Sequence, residues 1–361
     1  MKHDAAAAYV SFVVTLLVVP LIRRFCQRCH VLDKPGPLKV HGQPIPRLGG
    51  VAIFFGLLAG IFAADTRNYT AHWQFFAAIL VIWTAGLIDD LRGLAVGPRL
   101  CAQVLCALLL WQGGWRLPLA VNAPTQIVLL CLFVILFANS FNFLDGTDGL
   151  VTSVSSVIFL AYLAMPPTTL TPLGFSAALC MAAACVAFVP FNWHPASIFL
   201  GDSGSTLLGF LAAFVSLDFV TKTGGGGDSL TLVLAIAALP IFDALRVVIK
   251  RIVRRTSPTS GDRCHFYDAL LASSWPTEKI AVVSWTIAAF CGVIAVSIVR
   301  LHASIAWSLL ALILVAAFIH VAATLRGKNS TAVSEARAKH CEVFVSAGNR
   351  TEARPPASKD L

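Results

Sequence analysis

The chain is dominated by a succession of apolar stretches, each about 17–22 residues long and separated by short polar segments. Apolar residues make up 57% of the 361 residues and charged residues 12%, with a mean hydropathy of +0.79. Such stretches are typical of membrane-spanning helices, because a helix satisfies its own backbone polar groups in hydrocarbon. The sequence therefore predicts an all-α polytopic membrane helix bundle of about 11 transmembrane helices. The predicted spans are 5–23, 48–64, 72–88, 97–113, 124–141, 149–165, 172–190, 204–221, 229–249, 279–299 and 304–325.

The chain is predicted to have two parts, an integral membrane domain at 1–325 and a polar tail at 326–361 that is expected to be disordered. Of the 27 Lys and Arg residues, 21 fall on one side of the predicted bundle and 5 on the other. The positive-inside rule then places the N-terminus in the periplasm and the C-terminus in the cytoplasm of a bacterial inner membrane. The net charge of +9 suits contact with the lipid bilayer, and no nucleic-acid partner is expected.

Carboxylates are scarce in this chain, yet five of its 18 Asp and Glu residues lie at the predicted cytoplasmic ends of apolar stretches. A carboxylate costs about 2.5–3.5 kcal/mol at the centre of a membrane helix and less near the interface. Their position therefore indicates a functional need for negative charge, such as a divalent metal with a phosphate-bearing substrate. The five residues are Asp89, Asp90, Asp145, Asp148 and Asp202.

Four of the polar residues recur every three positions, namely Asn139, Asn142, Asp145 and Asp148. A step of three turns an α-helix by about 300°, so the first three share a face and Asp148 drifts off it. Neutral and charged oxygens of this kind suit Mg²⁺, with Mn²⁺ as a substitute. The alternative is that these side chains cap helices or bond neighbouring helices.

Two further groups complete the acidic pattern. Asp89 and Asp90 are adjacent, which suits a general base beside a metal-bound phosphate, or alternatively a cap of the next helix. Asp202 precedes Ser205 in a Gly- and Ser-rich segment at a helix start, where free backbone N–H groups favour an anion. Asp202 repels phosphate unless it binds the metal, so it is predicted as a metal ligand, with an N-cap as the alternative.

Basic residues on the same predicted face can contact phosphates. His265 and Arg263 lie in one loop, and Lys39 and His41 lie in another. The alternatives are a solvated histidine and ordinary positive-inside residues. Together with the carboxylates, these residues predict phosphoryl transfer at the cytoplasmic rim of the membrane.

The ordered motifs resemble the polyprenyl-phosphate N-acetylhexosamine-1-phosphate transferase superfamily. That superfamily includes phospho-MurNAc-pentapeptide translocase and the GlcNAc-1-phosphate transferases that start O-antigen and enterobacterial common antigen synthesis. The motifs span residues 33 to about 268, and the span count resembles the GlcNAc-1-phosphate branch. They are Asp33-x-Pro35 with Lys39-x-His41 and Ile45-Pro46-Arg47-x-Gly49-Gly50; Gly86-x-x-Asp89-Asp90; Asn139-x-x-Asn142-x-x-Asp145-Gly146-x-x-Gly149-Leu150; Gly201-Asp202-x-Gly204-Ser205; and Asp262-Arg263-x-His265.

The resemblance implies that a polyprenyl phosphate, undecaprenyl phosphate in bacteria, attacks the β-phosphorus of a UDP-N-acetylhexosamine and releases UMP. It implies Asn139 and Asp202 as Mg²⁺ ligands and Asp89, beside Asp90, as the base on the lipid phosphate. Asp145 and Asp148 would bind or orient the nucleotide. The remaining implied contacts are Lys39 and His265 on the phosphates, with His41, Asn142, Arg263 and Ser205 as further substrate-binding residues.

One departure from the family concerns its last loop, which usually has a His-x-His-His pattern. Here that stretch reads His265-Phe266-Tyr267-Asp268. The change points away from murein precursor transfer and towards initiation of O-antigen-like chains, on sugars such as GlcNAc, FucNAc or QuiNAc. A homodimer is compatible with the sequence. The alternative function is transport of an anionic lipid or sugar nucleotide, which would need polar residues within the spans. Asp243 and Arg246 lie within a predicted span. At positions i and i+3 of a helix, these two residues can pair with each other.

Overall fold

The structure is a computed structural model that describes residues 2–35, 42–64, 69–224, 226–253, 255, 265–301 and 306–324. The described residues form α-helices and one two-stranded antiparallel sheet. The predicted polytopic helical membrane fold is confirmed. The elements are α1 (Lys2–Arg28), β1 (Leu32–Asp33), β2 (Ile45–Pro46), α2 (Gly49–Ala63), α3 (Trp73–Arg92), α4 (Val96–Gln112), α5 (Ala123–Leu144), α6 (Leu150–Leu163), α7 (Pro172–Asn192), α8 (Asp202–Thr223), α9 (Gly226–Ile236), α10 (Ala238–Val253), α11 (Phe266–Ala272), α12 (Thr277–Leu301) and α13 (Ala306–Thr324).

Among the described residues, six helices are long and apolar enough to cross a bilayer. They are α1, α3, α5, α7, α8 and α12. Three shorter helices, α2, α4 and α6, are also apolar and cover further predicted spans. The total of eleven spans and the orientation of the termini stay predictions, as does the tail at 326–361, which lies outside the described residues.

The predicted span 229–249 is divided into two helices, because α9 and α10 meet at 83°. Pro240 lies in the first turn of α10. It has no backbone N–H for the carbonyl of Ile236, and its ring clashes with that carbonyl in a continuous helix. The bend therefore lies where the sequence places this proline.

Helix α8 is the centre of the bundle. Its apolar window is 94% buried, whereas the corresponding windows of the other five long helices are 22–67% buried. It contacts α2, α3, α5, α6, α7 and α9. Since small and apolar residues occur on every side of α8, it has no polar face to expose.

Glycines allow three helices to approach closely at the N-terminal end of α8. A Cβ at Gly86 of α3 would lie 2.6 Å from the Cα of Ser203. Gly50 of α2 and Gly204 of α8 likewise face each other, and a Cβ at Gly204 would lie 2.8 Å from the Cα of Gly50. Three glycine-containing motifs of the sequence therefore serve backbone packing.

The short strands bring the first loop into the same region. β1 and β2 pair Leu32 with Pro46 and Asp33 with Ile45. Beyond β2, the backbone N–H groups of Gly49 and Gly50 donate to the carbonyls of Phe199 and Leu200, at 2.9 and 2.8 Å. The loop before α8 is thereby fixed to the start of α2.

Candidate active site at one end of the bundle

A cavity of about 310 Å³ lies at the end of the bundle where α3, α5 and α7 end and α8 begins. Five carboxylates line it, and four of them were predicted as site residues. The lining residues are Asp33, Arg47, Asp90, Asn142, Asp145, Gly146, Thr147, Asp148, Asn192, His194, Phe199, Gly201, Asp202 and Thr277. The structure thus joins the ends of several predicted spans into one acidic cavity.

The loop between α5 and α6 carries two of these carboxylates. Helix α5 ends at Leu144, and Asp145 is its C-cap. Gly149 is the N-cap of α6 and has a left-handed backbone, with φ of 71°. The Trp193 ring packs against Gly149, and a Cβ at this position would lie 3.1 Å from the ring. Glycine is favoured here because both the positive φ and the close ring disfavour a side chain.

The start of α8 meets the end of α5 through side chains that the sequence predicted together. The Asn142 amide donates to Asp202 Oδ1, and also to Ser205 Oγ at 3.0 Å. Ser205 itself is fully buried and does not line the cavity. The structure therefore places Asn142 and Asp202 at the site, with Ser205 supporting the amide from behind.

Asp90 lines the cavity and caps α8 from a neighbouring helix. Its Oδ1 accepts from the backbone N–H of Asp202 at 2.9 Å. Its Oδ2 accepts from the N–H and the hydroxyl of Ser203, at 3.0 and 2.7 Å. The cap satisfies N–H groups that a helix leaves unpaired at its first turn and places negative charge at the positive end of its dipole. Asp90 therefore positions Asp202.

Asp89, predicted as the base, does not line the cavity. Its carboxylate accepts from the Leu94 N–H at 2.6 Å and from Arg99 Nη1 at 2.8 Å, and the residue is 7% exposed. Neighbouring residues on a helix point about 100° apart, so Asp89 and Asp90 reach different partners. The structure gives the lining position to Asp90, and Asp89 orders the connection between α3 and α4.

Asn139, predicted as a metal ligand, also lies away from the cavity lining. Its Nδ2 donates to Gln103 Oε1 at 2.8 Å and to the Ile135 carbonyl at 2.7 Å. Gln103 is 2% exposed, so this hydrogen bond gives a buried polar side chain a partner inside the bundle. The structure thus favours the alternative that was open at the sequence level, a hydrogen bond between helices.

Asp148 forms a pair that the sequence reading missed. Its Oδ2 lies 2.8 Å from His194 Nδ1 and accepts from the Ala196 N–H at 3.0 Å. His194 also lines the cavity. The available signal was a polar pair, Asn192 and His194, in a short connection between two apolar spans.

His265, predicted as a phosphate contact, is not among the lining residues, and 6% of it is exposed. Its Nδ1 lies 2.6 Å from Asp243 Oδ2, and Asp243 Oδ1 accepts from the Phe266 N–H at 2.9 Å. The sequence allowed Asp243 to pair with Arg246; in the structure Asp243 also joins α10 to the start of α11. The His265 carboxylate partner was not predictable from spacing, because 22 residues separate the two side chains.

The departure from the family pattern has a packing role. The Tyr267 ring stacks on the His265 ring, with centroids 5.1 Å apart. Its hydroxyl donates to the Phe143 carbonyl at 3.0 Å, and the ring occupies the space that a Cβ of Gly146 would need. Burial is the main cause that raises the pKa of Tyr267 well above its usual value. Tyr267 therefore supports the loop that carries Asp145.

Three predicted substrate contacts, Lys39, His41 and Arg263, lie outside the described residues.

Asp145 lies just beyond the membrane-spanning part of α5. Burial, followed by the neighbouring charges of Asp202, Asp90 and Asp148, raises the pKa of Asp145 well above its usual value. The site is therefore an acidic cavity in which a bound cation would be favoured.

Comparisons with known proteins show what this chain is similar to in sequence. Residues 72–220 match the family model described as glycosyl transferase family 4. The chain is 26% identical to the "Probable undecaprenyl-phosphate N-acetylglucosaminyl 1-phosphate transferase" of Bacillus subtilis, over 91% of this chain and 93% of that protein. It is 28% identical to the "Undecaprenyl-phosphate alpha-N-acetylglucosaminyl 1-phosphate transferase" of Salmonella typhi, over 86% and 88%. It is 26% identical to the "Decaprenyl-phosphate N-acetylglucosaminephosphotransferase" of Mycobacterium tuberculosis, over 78% and 79%.

Proposed function

We propose that this chain, which belongs to the polyprenyl-phosphate N-acetylhexosamine-1-phosphate transferase family, transfers N-acetylhexosamine 1-phosphate from a UDP-sugar to undecaprenyl phosphate. In this proposal UMP is released, and the lipid-linked sugar starts an O-antigen-like cell-envelope polysaccharide. The site faces the cytoplasm of a bacterial inner membrane, where nucleotide sugars are available. The relatives' names support the lipid acceptor and the sugar-phosphate group.

The observation that carries this proposal is the convergence of Asp90, Asp145, Asp148 and Asp202 on one cavity at the end of a membrane bundle. A substrate with two phosphates brings further negative charge to that cavity. The combination requires cations, so it favours phosphoryl transfer, in which positioning and charge neutralisation provide most of the catalysis.

The donor set fits Mg²⁺. Among the described residues, no three His, Cys, Asp or Glu side chains form a ready-made metal site. Mg²⁺ usually takes one or two protein carboxylates and completes its shell with water and substrate phosphate. Asp202 would hold the ion, with Asp145 as the second carboxylate; when bound, Mg²⁺ would neutralise charge on the phosphates of the two substrates.

The protein residues divide the remaining work. Asp90 fixes the first turn of α8 and thereby the position of Asp202. The Asn142 amide donates to Asp202, which leaves the second oxygen of that carboxylate for the ligand side. The attacking group is already an anionic phosphate at neutral pH, so the reaction needs a positioned lipid phosphate more than a strong base.

The test is a reaction between the full-length chain in membranes, undecaprenyl phosphate, Mg²⁺ and a panel of UDP-sugars. UDP-GlcNAc, UDP-FucNAc and UDP-QuiNAc belong in the panel, and UDP-MurNAc-pentapeptide is the negative control. We expect UMP release with one of the HexNAc donors and a prenyl-diphospho-HexNAc product by mass spectrometry. Membranes without the chain provide the blank, and membranes with the Asp202→Asn variant test the metal assignment.

Two results would count against the proposal. The first is a lack of UMP release from every UDP-sugar in membranes that contain the folded wild-type chain. The second is a lipid product that forms equally well with Asp202→Asn, which would remove Asp202 from the metal site. Equal activity with and without EDTA would argue against Mg²⁺ specifically.

A further inference from the structure

His194 lies at the wall of the cavity, in the connection between α7 and α8. Its side chain is 38% exposed and lines the cavity. Nδ1 is engaged with Asp148 at 2.8 Å. Nε2 is the other polar atom of the ring, and it is the one left for a ligand in the cavity.

The orientation of this ring is fixed by its surroundings. Asp148 Oδ2 also accepts from the Ala196 N–H at 3.0 Å, so the carboxylate contacts both the His194 ring and the backbone two residues later. Asn192 holds the connection from within, because its amide donates to the Ile198 carbonyl at 3.2 Å and accepts from Thr152 at 2.9 Å. A carboxylate that accepts from Nδ1–H sets the tautomer and orientation of an imidazole.

Positive charge is scarce in the described lining. Arg47 and His194 are the two described lining residues that can carry it, against five carboxylates. Arg47 Nη2 donates to the backbone carbonyls of Asp89 and Asp90, and Nη1 lies 3.7 Å from Asp33. Arg47 therefore caps α3 and contacts β1, and His194 is the other described lining residue that can carry positive charge.

We propose that His194 contacts a phosphate of the nucleotide-sugar donor through Nε2–H, with Asp148 as the positioning residue that holds the ring. The proposal rests on the proposed function, since it names a phosphate-bearing nucleotide as the ligand. An imidazolium between a carboxylate and a phosphate makes two charge-assisted hydrogen bonds. In the proposed complex the ring donates Nδ1–H to Asp148 and Nε2–H to the phosphate.

Two substitutions separate contact with the substrate from support of the loop. His194→Asn keeps an amide near the position of Nδ1, so it preserves the bond to Asp148 and removes the cavity donor. His194→Gln places an amide near the position of Nε2, so it keeps a donor for the ligand. If His194 only joins the two loops, His194→Asn should behave like wild type. If His194 contacts a phosphate, His194→Gln should stay closer to wild type than His194→Asn.

The measurement is inhibition of prenyl-diphospho-HexNAc formation in detergent by uridine, UMP and UDP, with the full-length chain. We expect His194→Asn to weaken UMP and UDP by about 10-fold or more and uridine by less than about 2-fold. His194→Gln should stay within about 3-fold of wild type for all three probes. The donor KM should rise in His194→Asn in the same proportion as the UMP inhibition constant.

Three results would overturn the proposal. They are an equal loss of uridine and UMP affinity in His194→Asn, wild-type behaviour of His194→Asn with every probe, and a selective loss of phosphate-bearing probes in His194→Gln. The last result stands alone if His194→Asn does not fold, as judged by thermal unfolding. A wild-type chain that releases no UMP would instead reject the proposed function, so the two failures are distinguishable.

Discussion

The two ends of α8 each carry an aspartate, but in opposite settings. Asp218, near the C-terminal end, is 0% exposed and accepts from Trp115 Nε1 at 3.1 Å and from the Thr171 N–H and hydroxyl at 2.8 and 2.9 Å. Asp202, at the N-terminal end, faces a cavity lined by other carboxylates. The first carboxylate is satisfied by neutral protein donors, whereas the second accepts from the Asn142 amide and faces other carboxylates. Burial of a carboxylate alone therefore does not identify a site.

The hydrogen bonds of Asp218 give this carboxylate a structural role. Thr171 is the N-cap of α7 and accepts from the Gly174 N–H at 3.1 Å, while its own N–H donates to Asp218. The carboxylate thus joins α8 to the start of α7 and to the connection that carries Trp115. Such a network stabilises one arrangement of helices. It has the features of a structural lock, and no ligand is needed to complete it.

The largest expected effect is on activity at the Asp202 end. Asp202→Asn should lower the rate of UMP release by roughly 100-fold or more, because it removes the negative charge of the carboxylate that we propose as a Mg²⁺ ligand. Its melting temperature should stay close to that of wild type, since Asn retains the size of the side chain. Parallel UMP-release and thermal-unfolding measurements check both statements. A destabilised Asp202→Asn would make its end of α8 resemble the Asp218 end and weaken the comparison.

The next effect is on stability at the opposite end. Asp218→Ala should lower the free energy of unfolding by about 2–4 kcal/mol, because the donors of Trp115 and Thr171 lose their acceptor inside the bundle. Activity per folded molecule should not change. Thermal unfolding in detergent gives the first quantity, and UMP release normalised to folded protein gives the second. A selective loss of turnover in folded Asp218→Ala would show that this end also takes part in function.

A smaller effect is expected where α3 crosses α8. Gly86→Ala should cost about 1–3 kcal/mol, because its Cβ would lie 2.6 Å from the Ser203 Cα and displace the turn that holds Asp202. Activity should fall with it. Gly97→Ala in α4 is the matched control, since a Cβ there meets nothing within 4 Å. Equal behaviour of the two variants in thermal unfolding and UMP release would contradict the packing argument.

The smallest effect concerns the titration of Asp145 without divalent cations. Its raised pKa means that the folded chain binds a proton over a pH range in which the unfolded chain has released it. The contribution of Asp145 to stability therefore falls as the pH rises from about 4 through the raised folded pKa. Asp145→Asn lacks this loss, so its melting temperature in EDTA should exceed that of wild type at pH 8 by more than at pH 5. Mg²⁺ should stabilise wild type more than the variant.

An Asp145→Asn chain that melts below wild type at both pH values in EDTA would show that the carboxylate is satisfied by protein donors. Asp145 would then resemble Asp218, and the contrast between the two ends of α8 would be reduced. Asp228, which lies near the start of α9 and outside the cavity lining, provides the control substitution Asp228→Asn. It should show no such dependence on pH or Mg²⁺.

Much of the site could be predicted because chain order and helix ends constrain it. Asp145, Asp148 and Asp202 flank apolar spans, and membrane topology alone places those ends on one side. The spacing did not reveal that Asn139 donates to Gln103 or that Asp89 pairs with Arg99. Those partners come from other helices, so only their packing shows which side chain is already satisfied.

The same limit applies to residues that were not predicted. Asp218 lies inside a predicted span without any neighbouring polar motif. His194 became part of the site because Asp148 and the connection before α8 meet across 46 residues of sequence. The break at Pro240 is local, and the proline itself was visible, but the 83° angle depends on how α9 and α10 pack.

The sequence by itself determined a polytopic helix bundle and placed scarce carboxylates at the ends of its spans, since hydrocarbon permits long apolar helices and disfavours charge within them. The tertiary structure decided which oxygens face the cavity and which are taken by the protein. Asp90 and Asp89 differ by one residue, yet one lines the cavity and the other binds Arg99. The physical reason is that helix rotation and donors from distant segments, which no local pattern specifies, determine where each carboxylate is satisfied.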